Sequence, residues 1–445
     1  MVFTVAVAAF ILSEPNAFGA TPTSSVSEGP IINVRQFGAK GDNSADDTSA
    51  IQAGISAAIR SGQTFFIPKG TYRITRPIKL ETHGLRILGA SGVILKAAVN
   101  MSRMLYVCGS DIVISNLVLN GDHKAIYGLH AFHFNGVSSR LEFIGVSNAK
   151  SHGFFLDHSQ VSEVKNCSAS KNGGDGFYIT DCNGMRISVC CSRNNMGRGF
   201  TVTATDFSGG CWLQYLNAEK NAREAVLVST VAGTPIIMER LWAEGNSASS
   251  TNIYDGVRVV ATCVAVSQCR ITMPSNKQGR NQHAISLASE TLLSMEGVSG
   301  QFEVGEQVQG QHSGAKAEVS LWQADPLFTS EFPIPAPYVK WLERPKKLML
   351  RQVSGKFQDG EAVIAQQSKA QGKIAKQAVI NASGCLITDN WLGNETAGGT
   401  ANQVHEDKGC QQNRSQPNHR LYSGVPLPSV HRDQPTSRKE TGKIE

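Results

Sequence analysis

The sequence predicts an all-β chain folded as a right-handed, single-stranded parallel β-helix, with an N-terminal capping helix and a small β insertion. Three observations carry this expectation. Glycine is abundant, 43 residues against 16 prolines in 445, which calls for many tight turns. A glycine–aromatic pair recurs at near-constant spacing through the middle of the chain. An amphipathic stretch near the N-terminus is placed to plug one end of a stack. The length permits one large solenoid or two to three ordinary domains.

Taken in order, residues 1–20 read as a signal peptide. An apolar run from Val2 to Leu12 precedes the small-residue stretch Ala17-Phe18-Gly19-Ala20, although no Lys or Arg stands before the run. The expected location is therefore secreted or periplasmic. No other apolar run reaches the roughly 18 residues a membrane span needs. Next comes Ile32-Asn33-Val34-Arg35-Gln36-Phe37-Gly38-Ala39-Lys40-Gly41-Asp42, then Asp46-Asp47-Thr48. Asp47 or Thr48 is placed to cap a helix over Ala50 to Arg60, in which Ile51, Ile55, Ala58 and Ile59 recur at helical spacing. A strand block follows with Phe66-Ile67-Pro68-Lys69-Gly70-Thr71-Tyr72. Residues 31 to 75 resemble the opening of the pectate-lyase-like β-helix superfamily, V-x-x-F-G-A-x-G-D, D-D-T-x-A-I-Q-x-A and P-x-G-x-Y. The resemblance implies the fold. It leaves the activity open, because lyases, glycoside hydrolases, uronan epimerases and phage tailspikes share that opening.

The repeat supports the same fold over residues 31–298. Gly128-Leu129, Gly153-Phe154, Gly176-Phe177 and Gly199-Phe200 each begin a strand, and Ala225-Val226, Gly256-Val257 and Ala284-Ile285 continue the series at looser spacing. Alternating apolar residues, as in Val161-x-x-Val164, Met185-x-Ile187-x-Val189 and Val264-x-Val266, are expected to face inward. Asn148, Asn166, Asn172, Asn195, Asn217 and Asn221 suit turns that tolerate left-handed backbone and ladder along the stack. The ten cysteines fall mostly in apolar strands and read as small buried hydrophobes rather than disulfide partners. Over 299–376 the pattern changes. Phe302-x-x-Gly305-Glu306-x-Val308 is echoed by Phe357-x-x-Gly360-Glu361-x-Val363 across a connector from Pro333 to Pro337, which reads as an inserted β module similar to short phage virion modules. A final coil is expected over 377–401 and a polar, disordered tail over 402–445.

Half of the formal charge of +6 sits in the stretch from Gln411 to Glu445, which holds six Lys/Arg and three Asp/Glu. With no arginine-rich helix or base-stacking motif beside it, a nucleic-acid partner is not expected. The residue before each repeat glycine or alanine forms a column: Tyr127, His152, Asp175, Arg198, Glu224, Asp255 and His283. Such a column faces outward, its members about 4.8 Å apart per coil, and suits a groove for an extended anionic polymer. His130, Asp157, His158 and Asp181 lie close by in sequence.

Removal of a uronate C5 proton needs a neutralised carboxylate, a base and a proton donor. Arg198, His152 and Tyr127 are the candidates. Hydrolysis needs two carboxylates, either Asp157 with Asp175 or Asp175 with Asp181. The catalytic set is thus Tyr127, His152, Asp157, Asp175 and Arg198. The substrate-binding set is His130, His158, Asp181, Glu224, Asp255 and His283. Ser151 to Asp181 also resembles mannuronan epimerases, whose Y-G-F-D-P-H is followed one coil later by D-G-F. Asp175-Gly176-Phe177 keeps the second phrase, while His152-Gly153-Phe154-Phe155-Leu156-Asp157 departs from the first.

No metal ligand is assigned. Calcium is the ion a lyase could use to bridge carboxylates and substrate, yet no continuous ligand loop is visible. The reading is a secreted carbohydrate-active enzyme on an acidic polysaccharide, lyase or epimerase chemistry being favoured over hydrolysis. The alternatives are a non-catalytic glycan-binding surface protein or a tailspike-like depolymerase, with monomer and trimer both open.

Overall fold

The computed structural model describes residues 31–204, 210–230, 235–248, 254–273, 283–323, 346–394, 404–406, 412–413 and 419–420. The expected signal peptide, the Pro333–Pro337 connector and residues 421–445 lie outside them. Parallel strands from successive coils stack into three faces of a right-handed solenoid. The first face runs from Ile32–Asn33 to Gln412–Asn413 and the second from Asp42–Asp46 to His419–Arg420. Two long strands, Val113–Asn120 and Arg140–Ser147, bend through both. Among the described residues, the third face holds ten strands, from Ile78–His83 to Val404–Glu406. Strands at 404–406, 412–413 and 419–420 therefore extend the solenoid into the stretch expected to be a disordered tail. Composition hid them, because two- and three-residue strands need no apolar run when a coil below supplies the partner.

Period-two alternation builds the core. Phe154, Phe177 and Phe200 pair in register and stack face to face, with ring centroids 4.5 and 4.9 Å apart. The helix, Thr48–Ser61, buries Ile51, Ile55 and Ala58 over the N-terminal end and leaves Ile59 exposed. Asp47 precedes the helix without capping it through its side chain. Its carboxylate instead accepts the amides of Lys40 and Gly41 at 2.6 and 2.9 Å, tying the opening phrase into one turn.

Two of the apolar positions expected inside are outside. Val161 and Val189 are exposed and sit at corners with positive φ. Alternation breaks at a corner, and counting residues in steps of two across it assigns the wrong face.

The glycine repeat has a steric cause. A Cβ on Gly176 would lie 2.0 Å from Ser192 Oγ and 2.9 Å from Asn195 Nδ2. The space it leaves is used by an interior ladder in which Asn172, Asn195 and Asn221 each donate Nδ2–H to the next asparagine's Oδ1 at 2.9 Å, ending on Asn246. Asn148 and Asn166 take the left-handed corners instead, while Asn217 is part of the strand Asn217–Glu219. All nine described cysteines are free thiols, and six of them are buried.

Between the third-face strand Ile285–Leu287 and the first-face strand Cys385–Thr388 the chain leaves the solenoid to form a closed, six-stranded antiparallel barrel. Its strands run from Ser289–Ser299 to Gln371–Asn381, wider than the 299–376 suggested by the sequence echo. The echo itself is a reciprocal clasp. Glu306 of the first half accepts the amides of Gln367 and Ser368 and the Ser368 hydroxyl, all in the second half. Glu361 accepts the amides of His312 and Ser313 and the Ser313 hydroxyl in the first. Burial pushes the Glu361 carboxyl up, but these donors outweigh it and hold its pKa below the ordinary value.

Glu361→Ala is expected to cost the barrel about 1–3 kcal/mol by stranding several donors, measured as an earlier urea transition. Because the folded-state pKa is depressed, the wild-type contribution is present above the unfolded value and is lost on acidification. The difference between wild type and variant should therefore shrink at low pH.

Candidate active site

The outer surface of the third face divides into two regions with different surroundings. Toward the middle of the stack it is covered by the barrel. Leu292, Leu321, Met349 and Ile380 of the inserted segment pack with Phe155, Tyr178, Leu227 and Val260 of the solenoid.

Arg198 lies in this covered region. It gives Nε–H to Glu224 Oε2 at 2.9 Å and Nη2–H to the Ser320 carbonyl at 2.7 Å. Arg351 of the barrel stands 3.8 Å from Glu224 Oε1 and bonds Glu318 at 2.5 Å. Arg198 and Glu224 are thus paired and dry, and they do not line the solvent groove expected of them. The column faces outward, but the inserted module sits on it.

Asp175 is also buried. It accepts the Arg198 amide at 2.7 Å and the Thr201 hydroxyl at 2.6 Å. Burial raises its pKa, yet Arg198 and His152 more than offset this, so it stays ionised. Asp255 and His283 form a separate group at the foot of the barrel. Asp255 accepts Ser286 at 2.6 Å and pairs with Arg258, which in turn bonds Glu290 at 2.9 Å. Despite burial, His283 and Arg258 hold Asp255 at about 2.

Nearer the N-terminal end, a polar and aromatic cluster spans four coils. Register pairs Arg103 with Tyr127 and Tyr106 with His130, then His130 with Phe155 and Phe132 with Asp157. Arg103 Nη1 donates to His130 Nδ1 at 2.6 Å. His130 Nε2 faces Asp157 Oδ2 at 3.8 Å, and neither atom has a hydrogen-bond partner among the described residues. The other Asp157 oxygen, Oδ1, accepts His158 Nδ1 at 2.5 Å. His158 and His133 occupy left-handed corners and stack with centroids 5.8 Å apart. Tyr127 lies flat against His152 at 5.8 Å, and His152 against Tyr178 at 4.6 Å. Asp181 takes the next left-handed corner and accepts the Thr180 hydroxyl at 3.1 Å.

Hydrogen bonding distinguishes the three histidines. The Nδ1 lone pair of His152 accepts the Asp175 amide at 3.0 Å, and that of His130 accepts Arg103. Each then carries its proton on Nε2 when neutral. Burial lowers the pKa of both, to about 4 for His130. His152, expected as the base, has therefore committed its lone pair to the backbone. His158 is the reverse case. It donates Nδ1–H to a carboxylate, so the lone pair of the neutral ring sits on Nε2, and its side chain is 20% exposed.

Burial pushes the Asp157 carboxyl up, but His158 and His130 together hold it at about 2. Burial keeps the Tyr127 phenol protonated, with a pKa of about 12. Among the described residues, no group of three or more His, Cys, Asp or Glu is placed to hold a metal ion. Arg103 lies outside the glycine repeat from which the column is legible. It continues the Tyr127 column one coil earlier, but Met104 follows it where the repeat has glycine.

Residues 31–258 match the family model described as rhamnogalacturonase A/epimerase, pectate lyase-like. The chain belongs to this family. Alginate lyase 7 of Azotobacter vinelandii is 28% identical over 144 residues, 30% of this chain and 17% of that protein. Mannuronan C5-epimerase AlgE3 of the same organism is 30% identical over 112 residues, 24% of this chain and 6% of its own length. This family member thus spans under a fifth of the curated relatives it matches. The A-module of mannuronan C-5 epimerase AlgE4, also from Azotobacter vinelandii, superposes with a TM-score of 0.52 at 18% identity, covering 88% of this chain and all of that one. At that identity the likeness establishes the pectate lyase-like solenoid alone.

Proposed function

We propose that this protein is an exported carbohydrate-active enzyme that removes the C5 proton of a uronate residue in an acidic polysaccharide, leading to elimination or epimerisation. The observation that carries the reading is the Asp157–His158 pair. A carboxylate bonded to one imidazole nitrogen fixes the tautomer, which puts the lone pair of the neutral ring on the other nitrogen. Arg103 supplies positive charge to the same cluster, burial and Arg103 together keep His130 neutral, and Tyr127, protonated at neutral pH, is the proton donor. The relatives named for alginate and mannuronan chemistry support an acidic polysaccharide as substrate. Hydrolysis by the Asp157–Asp175 pair is disfavoured because it needs one carboxyl group kept protonated, and both are held ionised. A non-catalytic glycan-binding role is the second reading, favoured by the near-complete burial of His130 and Asp157.

The test is incubation with a panel of uronan polysaccharides, with and without calcium, following unsaturated-end absorbance, reducing ends and product NMR. New unsaturated ends, or altered monomer composition without cleavage, are expected. Reducing ends without that absorbance would mean hydrolysis. Polymer binding with no change in any channel would leave the glycan-binding role.

A further inference from the structure

The solenoid carries a second distinctive surface on the corner between its first and second faces, away from the barrel. Corner positions take left-handed backbone, which asparagine tolerates, as at Asn116 and Asn166. Yet Phe143, Val189 and Tyr215 occupy such corners with φ of 53°, 54° and 54°, and all three are about half exposed. Bulky side chains here carry backbone strain and leave about half of their apolar surface in water.

The neighbouring strands add large rings. Trp212 is exposed on the first face, and Trp242 and Trp391 on the second. Trp242, Arg270 and Trp391 are paired directly in register, so the two indoles stand about two strand spacings, ~10 Å, apart. Guanidinium groups fill the intervals. Arg270 lies 4.5 Å over Trp242 and Arg240 lies 4.8 Å over Tyr215, while Arg240 also bonds Gln268 at 2.9 Å.

We propose that this corner is a second polysaccharide-holding surface, on which sugar rings stack against Tyr215, Trp242 and Trp391 while Arg240 and Arg270 meet the carboxylates of an acidic chain. The substrate class rests on the reading given under Proposed function; the surface itself does not depend on catalysis. Rigid aromatic platforms separated by cations and amides fit a ribbon-like anionic glycan. Tyrosine, tryptophan and arginine also concentrate at protein interfaces, so self-association is the competing outcome that the test separates. The carboxylates nearby are already engaged, Glu244 with the Trp242 indole N–H at 3.1 Å and Glu239 with Gln214 at 3.0 Å.

The test compares the full chain, the variant Tyr215→Ala/Trp242→Ala/Trp391→Ala and the variant His158→Ala in native gels cast with alginate or polygalacturonate. Sedimentation is run on each. The expected result is retardation in wild type and His158→Ala, weakened about tenfold or more in the triple variant, with circular dichroism unchanged. Turnover of short oligosaccharides should be kept by the triple variant and lost by His158→Ala. Equal retardation of all three forms, or none of any, would overturn the proposal. A shift of the triple variant from oligomer to monomer would also overturn it and assign the corner to self-association. If no form turns over substrate yet retardation still depends on the corner, the catalytic reading fails while this one stands.

Discussion

Replacing His158 by alanine is expected to reduce turnover by about 10²–10⁴-fold, the usual contribution of a positioned base, while polymer binding and the folded state survive. Asp157→Asn should act through the same group. It removes the countercharge of the imidazolium, so the acid limb of the kcat/KM profile should move to lower pH as well as kcat falling. A loss of kcat with an unchanged profile would mean that Asp157 only packs.

The cluster also predicts how stability varies with pH. His130 titrates at about 4 in the folded chain against 6.5 for an unperturbed histidine, and Asp157 at about 2 against 3.8. Both folded values are depressed, so both contributions are complete above pH 6.5. The His130 contribution falls away between pH 6.5 and 4, and that of Asp157 between about pH 4 and 2. Denaturant midpoints of wild type and His130→Phe, measured across that range, should converge as the pH falls through the upper window.

The second large effect concerns the docking of the barrel. Glu224 lies between Arg198 of the solenoid and Arg351 of the barrel, under 2% exposed. Removing one partner of a buried ion pair strands the other and costs about 3–5 kcal/mol. Glu224→Ala is therefore expected to release the barrel from the third face while leaving both folded units intact. Limited proteolysis with a broad-specificity protease should then cut at the junctions near Ser289 and Asn381, and the solenoid's melting transition should stay close to wild type. Substituting Glu224→Gln keeps two hydrogen-bonding atoms and should preserve part of the protection. If the alanine variant melts as a whole at lower temperature without new cleavage, the barrel and solenoid are one cooperative unit.

The solenoid was legible in the sequence because its causes are local and repeated. A glycine that makes room for Asn195, an alternating strand and a stacked phenylalanine return once per coil, so spacing alone locates them. The opening phrase is equally local, with Asp47 tying down Lys40 and Gly41 seven and six residues away. Register likewise brought Tyr127, His130, His152, Asp157 and His158 onto one face.

What the sequence by itself determined is therefore the coil, its faces and the residues that share them. Tertiary structure decided which of those residues serve chemistry. The bond from Arg198 to the Ser320 carbonyl joins positions 122 residues apart, and no periodicity reports that an insertion will fold back over the column it interrupts. The roles of the histidines were hidden for a related reason. An imidazole becomes a base or an inert donor according to which nitrogen its neighbours engage, and those neighbours, Arg103, Asp157 and the Asp175 amide, are set in place only when the coils stack.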